Sequence, residues 1–176
     1  MNEQKHAKVQ IKIILLIIFA ILLASGFVKP ADAKGHVGEL GLDLNITSYH
    51  AERCFSKCTR KFNEFNYGLT GTYRPTRSIE LWGGFLKNSF HQTSIFGAVN
   101  FNARFDVVSN IRLYPGVGIG LINGYDGTPL KGTYKDTGIT YIFVPNITAQ
   151  KNRFRFNIGL LPIDTYVLTF RAGIAF

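Results

Sequence analysis

The chain has 176 residues, enough for one domain around one core. Its 15 phenylalanines, 8 tyrosines and 18 glycines suit strands, which argues against a helical bundle. A formal net charge of +9 would fit a nucleic-acid binder, but an export signal at the start of the chain argues against that and favours the phosphates of anionic lipid or lipopolysaccharide.

The signal covers residues 1–33. Lys5, Lys8 and Lys12 form a positive start, residues 13–27 are nearly all apolar, and Ala31-Asp32-Ala33 is a small-x-small cleavage site. This predicts a secretory leader whose removal leaves residues 34–176; an uncleaved anchor is the alternative. The remainder has no second apolar run long enough for a transmembrane helix. Cys54 and Cys58 are the only cysteines. In an oxidising compartment they predict one local disulfide, provided their Cα atoms lie within about 7 Å. A metal site needs more ligands than this pair, and neither a metal nor another cofactor is expected.

The first predicted strand covers residues 37–49. Leu40, Leu42, Leu44 and Ile46 share one face; Glu39, Gly41, Asp43 and Asn45 share the other. Acids alternating with leucines fit a barrel with a polar interior. A polar loop at 51–62 follows, carrying both cysteines with Arg53, Lys57, Arg60 and Lys61. Further strands are predicted at 64–74, at 78–87 around Trp82, and at 93–105, with links at 75–77, 88–92 and 106–110. The fifth, 111–125, puts Gly116, Gly118 and Gly120 on one face. Period two with no following helix argues against a phosphate loop there. After a polar loop at 126–137 come strands at 138–149 and 153–161. In the closing strand, 166–176, Leu168, Phe170, Ala172 and Ile174 oppose Val167, Thr169, Arg171 and Gly173.

These elements predict an all-β fold: an eight-stranded antiparallel up-and-down transmembrane β-barrel. A soluble β-sandwich shares the alternation. The closing strand, however, reaches the roughly 9–11 residues that cross a membrane. The terminal Phe176 is similar to the end signal that bacterial outer-membrane barrels present to their assembly machinery. The long loops at 51–62 and 126–137 fall at one end, and the short turns at 75–77, 106–110 and 150–152 at the other. That asymmetry predicts the outer membrane, with long loops outside. The interior is expected to be packed, or just wide enough for one slender ligand in the space left by Gly68, Gly84, Gly116 and Gly118.

Up-and-down topology brings His50, at the end of the first strand, to the same rim as Asn88, Ser89 and His91 after the third. A serine beside an imidazole can transfer an acyl group, with Ser89 as nucleophile or positioning hydroxyl and His50 as base. Without further context, both read by default as solvated loop residues. Pro115, Pro145 and Pro162 sit in or at the ends of strands. Each removes a ladder donor. They mark strand ends or bulges, or else a weakened seam through which a lipid chain could enter from the membrane.

Several segments resemble the lipid A palmitoyltransferase family of outer-membrane enzymes (the PagP type). Ser48-Tyr-His-Ala51 is similar to its aromatic-His-Ala segment. Phe62-Asn-Glu64 followed by Tyr67-Gly68 is similar to its aromatic-Asn-Glu stretch, and Leu86-Lys-Asn-Ser-Phe90 to its Phe-Lys-Asp-Ser-Trp segment. The spacing of Pro145 and Pro162 resembles that of the prolines flanking its lateral lipid gate. The resemblance implies an enzyme that moves a fatty acyl chain from a phospholipid donor to lipid A, with His50 and Ser89 at the site; a monomer is expected. It also implies a role for Asn88, where the family has Asp; an amide can orient by hydrogen bonding but is no carboxylate. The family's short amphipathic helix before the barrel is expected to be missing or very short, since the first strand starts within a few residues of Lys34. The alternative is a non-catalytic small barrel that binds lipopolysaccharide or stabilises the envelope; a deacylase is a third reading.

Overall fold

The computed structural model describes residues 37–50, 54–55, 60–107, 110–125, 133–134, 138–163 and 165–176. The predicted leader and Cys58 lie outside these residues. Eight long strands are present: β1 (Glu39–His50), β2 (Gly68–Arg74), β3 (Ile79–Lys87), β4 (Thr93–Asn102), β5 (Ile111–Ile122), β6 (Ile139–Lys151), β7 (Phe154–Ile163) and β8 (Thr165–Ala175). Each pairs antiparallel with its neighbours in sequence, and β1 pairs with β8, so the sheet closes into an up-and-down barrel. Closure removes the unpaired edges that an open sheet would expose.

The alternation in the sequence decides which face goes where. On β1, Glu39, Gly41 and Asp43 are buried while Leu40, Leu42 and Leu44 are exposed. The same holds around the wall: Leu81, Phe85, Ile95, Phe101, Ile119, Phe143, Phe156 and Ile158 point outward, whereas Thr72, Glu80, Asn100, Asn146, Asn157 and Arg171 are buried inside. An apolar exterior around a polar interior is the arrangement that a hydrocarbon surrounding favours and water does not.

The interior has two layers. Toward the short turns it is charged. Glu80 accepts from Arg74 Nη2 at 2.9 Å and from Trp82 Nε1 at 2.7 Å, and pairs with Arg155 Nη1 at 3.0 Å. Arg74 also pairs with Glu39 at 3.3 Å, and Arg155 with Asp43 at 3.3 Å. Above this layer, Arg171 lies 4.1 Å over the Trp82 ring and donates to Asn157 Oδ1. Asn157 donates to Asn146, and Asn146 to Asn100. Toward the loops the interior is apolar: Trp82, Ala98, Ile122, Tyr125, Ile142 and Val144 form one buried cluster, joined by Phe90, Phe96 and Leu161.

Several expected boundaries shift. β2 begins at Gly68, four residues later than 64–74 implies, because residues 64–67 pass over the rim without joining the β1 ladder. β4 ends at Asn102, and Phe105–Asp106 pairs separately with Leu113 and Arg112 of β5. β5 stops at Ile122 instead of 125. β6 extends to Lys151, and Asn152 takes a left-handed φ of 54° to make the tight turn into β7. β7 runs through Pro162 to Ile163, which pairs with Thr165, so the expected link at 162–165 is a hairpin end. The space expected over Gly118 is occupied: a Cβ there would lie 2.9 Å from Trp82 Cζ3.

Candidate functional site at the loop-side rim

β1 places His50 by means of a bulge. Its register on β8 slips between Asn45 and Thr47, from Asn45↔Arg171 to Thr47↔Phe170. One extra residue reverses the phase of the strand. Below the slip the odd positions Glu39, Gly41 and Asp43 are buried; above it Ser48 and His50 are buried and Tyr49 is exposed. Strict alternation from Leu40 would have turned His50 outward. The bulge aims it into the barrel.

Ser89 is placed by the link after β3. Asn88 Oδ1 accepts the N–H groups of Phe90 and Gln92, each at 2.9 Å, and Asn88 N–H donates to Gln92 O at 2.8 Å. His91 closes this turn with a φ of 61° and is exposed. Asn63 N–H holds Ser89 O at 2.9 Å. The outcome is His50 Nε2 hydrogen-bonded to Ser89 Oγ at 2.7 Å. The imidazole stacks on Phe62, with centroids 4.5 Å apart and planes 11° from parallel. Phe62, Phe90 and Tyr125 then pack edge to face. Burial pushes the Tyr125 phenol up to about 12, so it stays a neutral hydroxyl and offers no base.

Asn88 sits beside this pair but is committed elsewhere. Its Nδ2 donates to Gly124 O at 2.6 Å and to Ser94 Oγ at 3.0 Å, and its side chain is fully buried. Both donors and both acceptor positions of the amide are used. It shapes the turn that carries Ser89 and does not reach His50. Asn88→Asp would replace the donor facing Gly124 O with a carboxylate oxygen. We expect a loss of about 1–3 kcal/mol, read as a lower thermal unfolding midpoint of the refolded barrel. An unchanged midpoint would contradict this assignment.

Ser89 and Asn88 line the mouth of a cavity of about 110 Å³ inside the barrel. Ser48 and Asn66, hydrogen-bonded to one another, line it as well. Deeper in, the walls are mostly apolar, with Phe96, Ile122, Ile142, Val144 and Leu161; Trp82 forms the floor, and Asn45, Thr169 and Arg171 also line the space. Apolar cavities of this order, roughly 150 Å³ in one engineered case, take benzene-sized guests. The space therefore suits part of a hydrocarbon chain and not a headgroup.

The prolines occupy different settings. The β5–β6 ladder runs unbroken through Pro115 and Pro145. The β6–β7 ladder stops at Asn146↔Gly159. Above it, Pro145 and the residues before it have no register partner on β7, and Leu160, Leu161, Pro162 and Ile163 pair only with β8. Val144 and Leu161, on either side of this gap, also line the cavity. Cys54 pairs through its backbone with Lys61; the disulfide expectation depends on Cys58, outside the described residues. The backbone N–H of Phe176 bonds Leu40 O at 2.8 Å, and its side chain is exposed on the outer wall. Among the described residues no helix is long and apolar enough to cross a membrane.

Sequence reasoning missed the bulge, the Trp82 floor and the charged layer. Only the last left a signal, in Arg74, Glu80, Arg155 and Arg171 at inward positions.

No family model matches the sequence. No curated protein matches it. Among solved structures, the chain is similar to the N-terminal β-barrel domain of Pseudomonas aeruginosa OprF, at 12% identity and a TM-score of 0.46, over 80% of this chain and 98% of that one. It is also similar to Ail, the attachment invasion locus protein of Yersinia pestis, solved with a heparin analogue, at 15% identity and a TM-score of 0.38, over 80% of this chain and 99% of that one.

Proposed function

We propose that this barrel spans the bacterial outer membrane and transfers a fatty acyl chain from a phospholipid to lipid A at the His50–Ser89 pair. The observation that carries the reading is a serine hydroxyl 2.7 Å from an imidazole nitrogen at the mouth of an apolar cavity. The apolar exterior supports the membrane location, and the charged residues of the turn-side interior argue against a soluble protein turned inside out. The resemblance to the lipid A palmitoyltransferases supports the substrate class.

The geometry is compatible with a two-step acyl transfer. The acyl tail enters the cavity through the gap between Pro145 and Pro162, and its ester carbonyl stops at the rim. Ser89 Oγ attacks that carbonyl while His50 Nε2 takes the hydroxyl proton. The lysophospholipid leaves as an alcohol, receiving that proton from His50. A lipid A hydroxyl then attacks the Ser89 ester, its proton passes to Nε2, and Ser89 leaves as the free hydroxyl with the proton returned. Binding the tail supplies the positioning that the reaction needs.

Refolded protein in mixed micelles of phospholipid and lipid A tests this. Lysophospholipid together with heavier lipid A is the expected product pair. Free fatty acid with lighter lipid A would indicate a deacylase, and neither product would leave a lipopolysaccharide-binding barrel. The floor sets a second expectation. Gly118→Ala forces the Trp82 ring toward the mouth, since the new Cβ would lie 2.9 Å from it. The variant should transfer shorter chains than the parent, read from the mass added to lipid A; an unchanged chain length would refute Trp82 as the floor.

A further inference from the structure

His50 has a second nitrogen. Nδ1 is buried and has no hydrogen-bond partner among the described residues. That leaves the tautomer open, and the tautomer decides the chemistry. With the proton on Nδ1, Nε2 carries a lone pair and can accept from Ser89. With the proton on Nε2, the ring donates to Ser89 Oγ and cannot act as its base. Asn88 does not settle this, because its amide is spent on Gly124, Ser94 and the turn N–H groups.

The segment that crosses the top of β1 brings an acid within reach. Ser48 N–H and Thr47 Oγ1 both donate to the Glu64 carbonyl, at 2.8 and 2.6 Å. Two residues to one side, Phe62 stacks on His50. Two residues to the other, Asn66 meets Ser48 Oγ. Glu64 thus lies between two residues that face the site, in a segment turned at Asn63, whose Oδ1 accepts the Phe65 N–H at 3.2 Å. Ser48, opposite it, and His50 are both buried toward the interior. The bond from Ser48 N–H to the Glu64 carbonyl sets Glu64 beside the end of β1, two residues from His50. Burial disfavours the charged form of the His50 imidazole, and the field of the Glu64 carboxylate opposes that effect. Its side chain is exposed and has solvent in which to change rotamer.

We propose that Glu64 is a positioning residue for the site: its carboxylate accepts the Nδ1–H of His50 and so holds Nε2 as the acceptor for Ser89. This rests on the acyl-transfer reading above. Such bonds are often long in unliganded enzymes and tighten with substrate bound. A buried triad carboxylate contributes about 10⁴-fold through the tautomer it selects. For an exposed one we expect Glu64→Gln to lower kcat on the order of 10–100-fold with KM unchanged, and Glu64→Asp to retain more activity than Gln.

The deciding experiment has two readouts on the refolded full barrel in phospholipid-containing micelles. One is the ¹⁵N shift of the His50 ring, recorded where imidazole is neutral. The other is the acyl-transfer rate. The proposal predicts Nδ1–H in the parent and a shift toward Nε2–H in Glu64→Gln, with kcat falling in parallel. An unchanged tautomer in Glu64→Gln overturns it, whatever the rate does. No transfer by the parent would sink the catalytic reading instead, and the tautomer readout would still decide the role of Glu64.

Discussion

Glu80→Ala should lower the stability of the refolded barrel by about 3–5 kcal/mol, the usual cost of stranding the partner of a buried ion pair. Glu80 is 1% exposed and holds two guanidinium groups, Arg74 at 2.9 Å and Arg155 at 3.0 Å. It also accepts the indole N–H of Trp82 at 2.7 Å. Removing it leaves both cations facing a low-dielectric interior with only the longer pairs to Glu39 and Asp43, each at 3.3 Å. Glu80→Gln keeps an acceptor for Trp82 but loses the charge, so it should fall between the parent and Glu80→Ala. Urea unfolding followed by tryptophan fluorescence reads the difference directly, because Trp82 is the single tryptophan and touches the residue changed. A loss below about 1 kcal/mol would mean that water already screens the cluster.

Ser89→Ala and His50→Ala should each reduce acyl transfer to background, and the double variant should lose no more than either single change. Groups that act as one unit are strongly non-additive. A nucleophile without its base, or a base without its nucleophile, retains only the contribution of binding and positioning. The 2.7 Å contact between Nε2 and Oγ is the structural basis of this expectation. Neither change should unfold the barrel, because both residues lie at the rim, away from the charged layer. Losses that add in the double variant would mean that the two residues act independently, and the shared-proton mechanism would have to be given up.

The barrel was legible because its physics is local. A strand between two unlike surroundings must alternate, and Leu40, Asp43 and Leu44 do so within a few residues of chain. Topology then follows from short turns, and it brings the end of β1 to the rim that carries Ser89. The two residues are 39 positions apart, yet counting strands was enough to pair them. What stayed hidden depends on single residues or on distant partners. The bulge near Ile46 adds one residue with no distinctive composition, yet it turns His50 from the outside to the inside. Residues 64–67 carry the alternation of a strand, but the Glu64 carbonyl is taken by Ser48 and Thr47 at the rim. The charged layer joins Glu39 to Gln150, 111 positions away, which no local pattern encodes. The sequence places Asn88 beside Ser89 as an orienting amide; its side-chain bonds to Gly124, Ser94, Phe90 and Gln92 depend on partners that local pattern does not encode.

Addition of an acyl chain to lipid A through Ser89 is the step on which the proposed function stands. Mass spectrometry of lipid A from bacteria carrying the parent or Ser89→Ala, with both proteins verified as folded in the outer membrane, tests it most directly. Lipid A should be heavier by one acyl chain with the parent and unmodified with Ser89→Ala. Lipid A of unchanged mass in both, or a gain that survives Ser89→Ala, would contradict it.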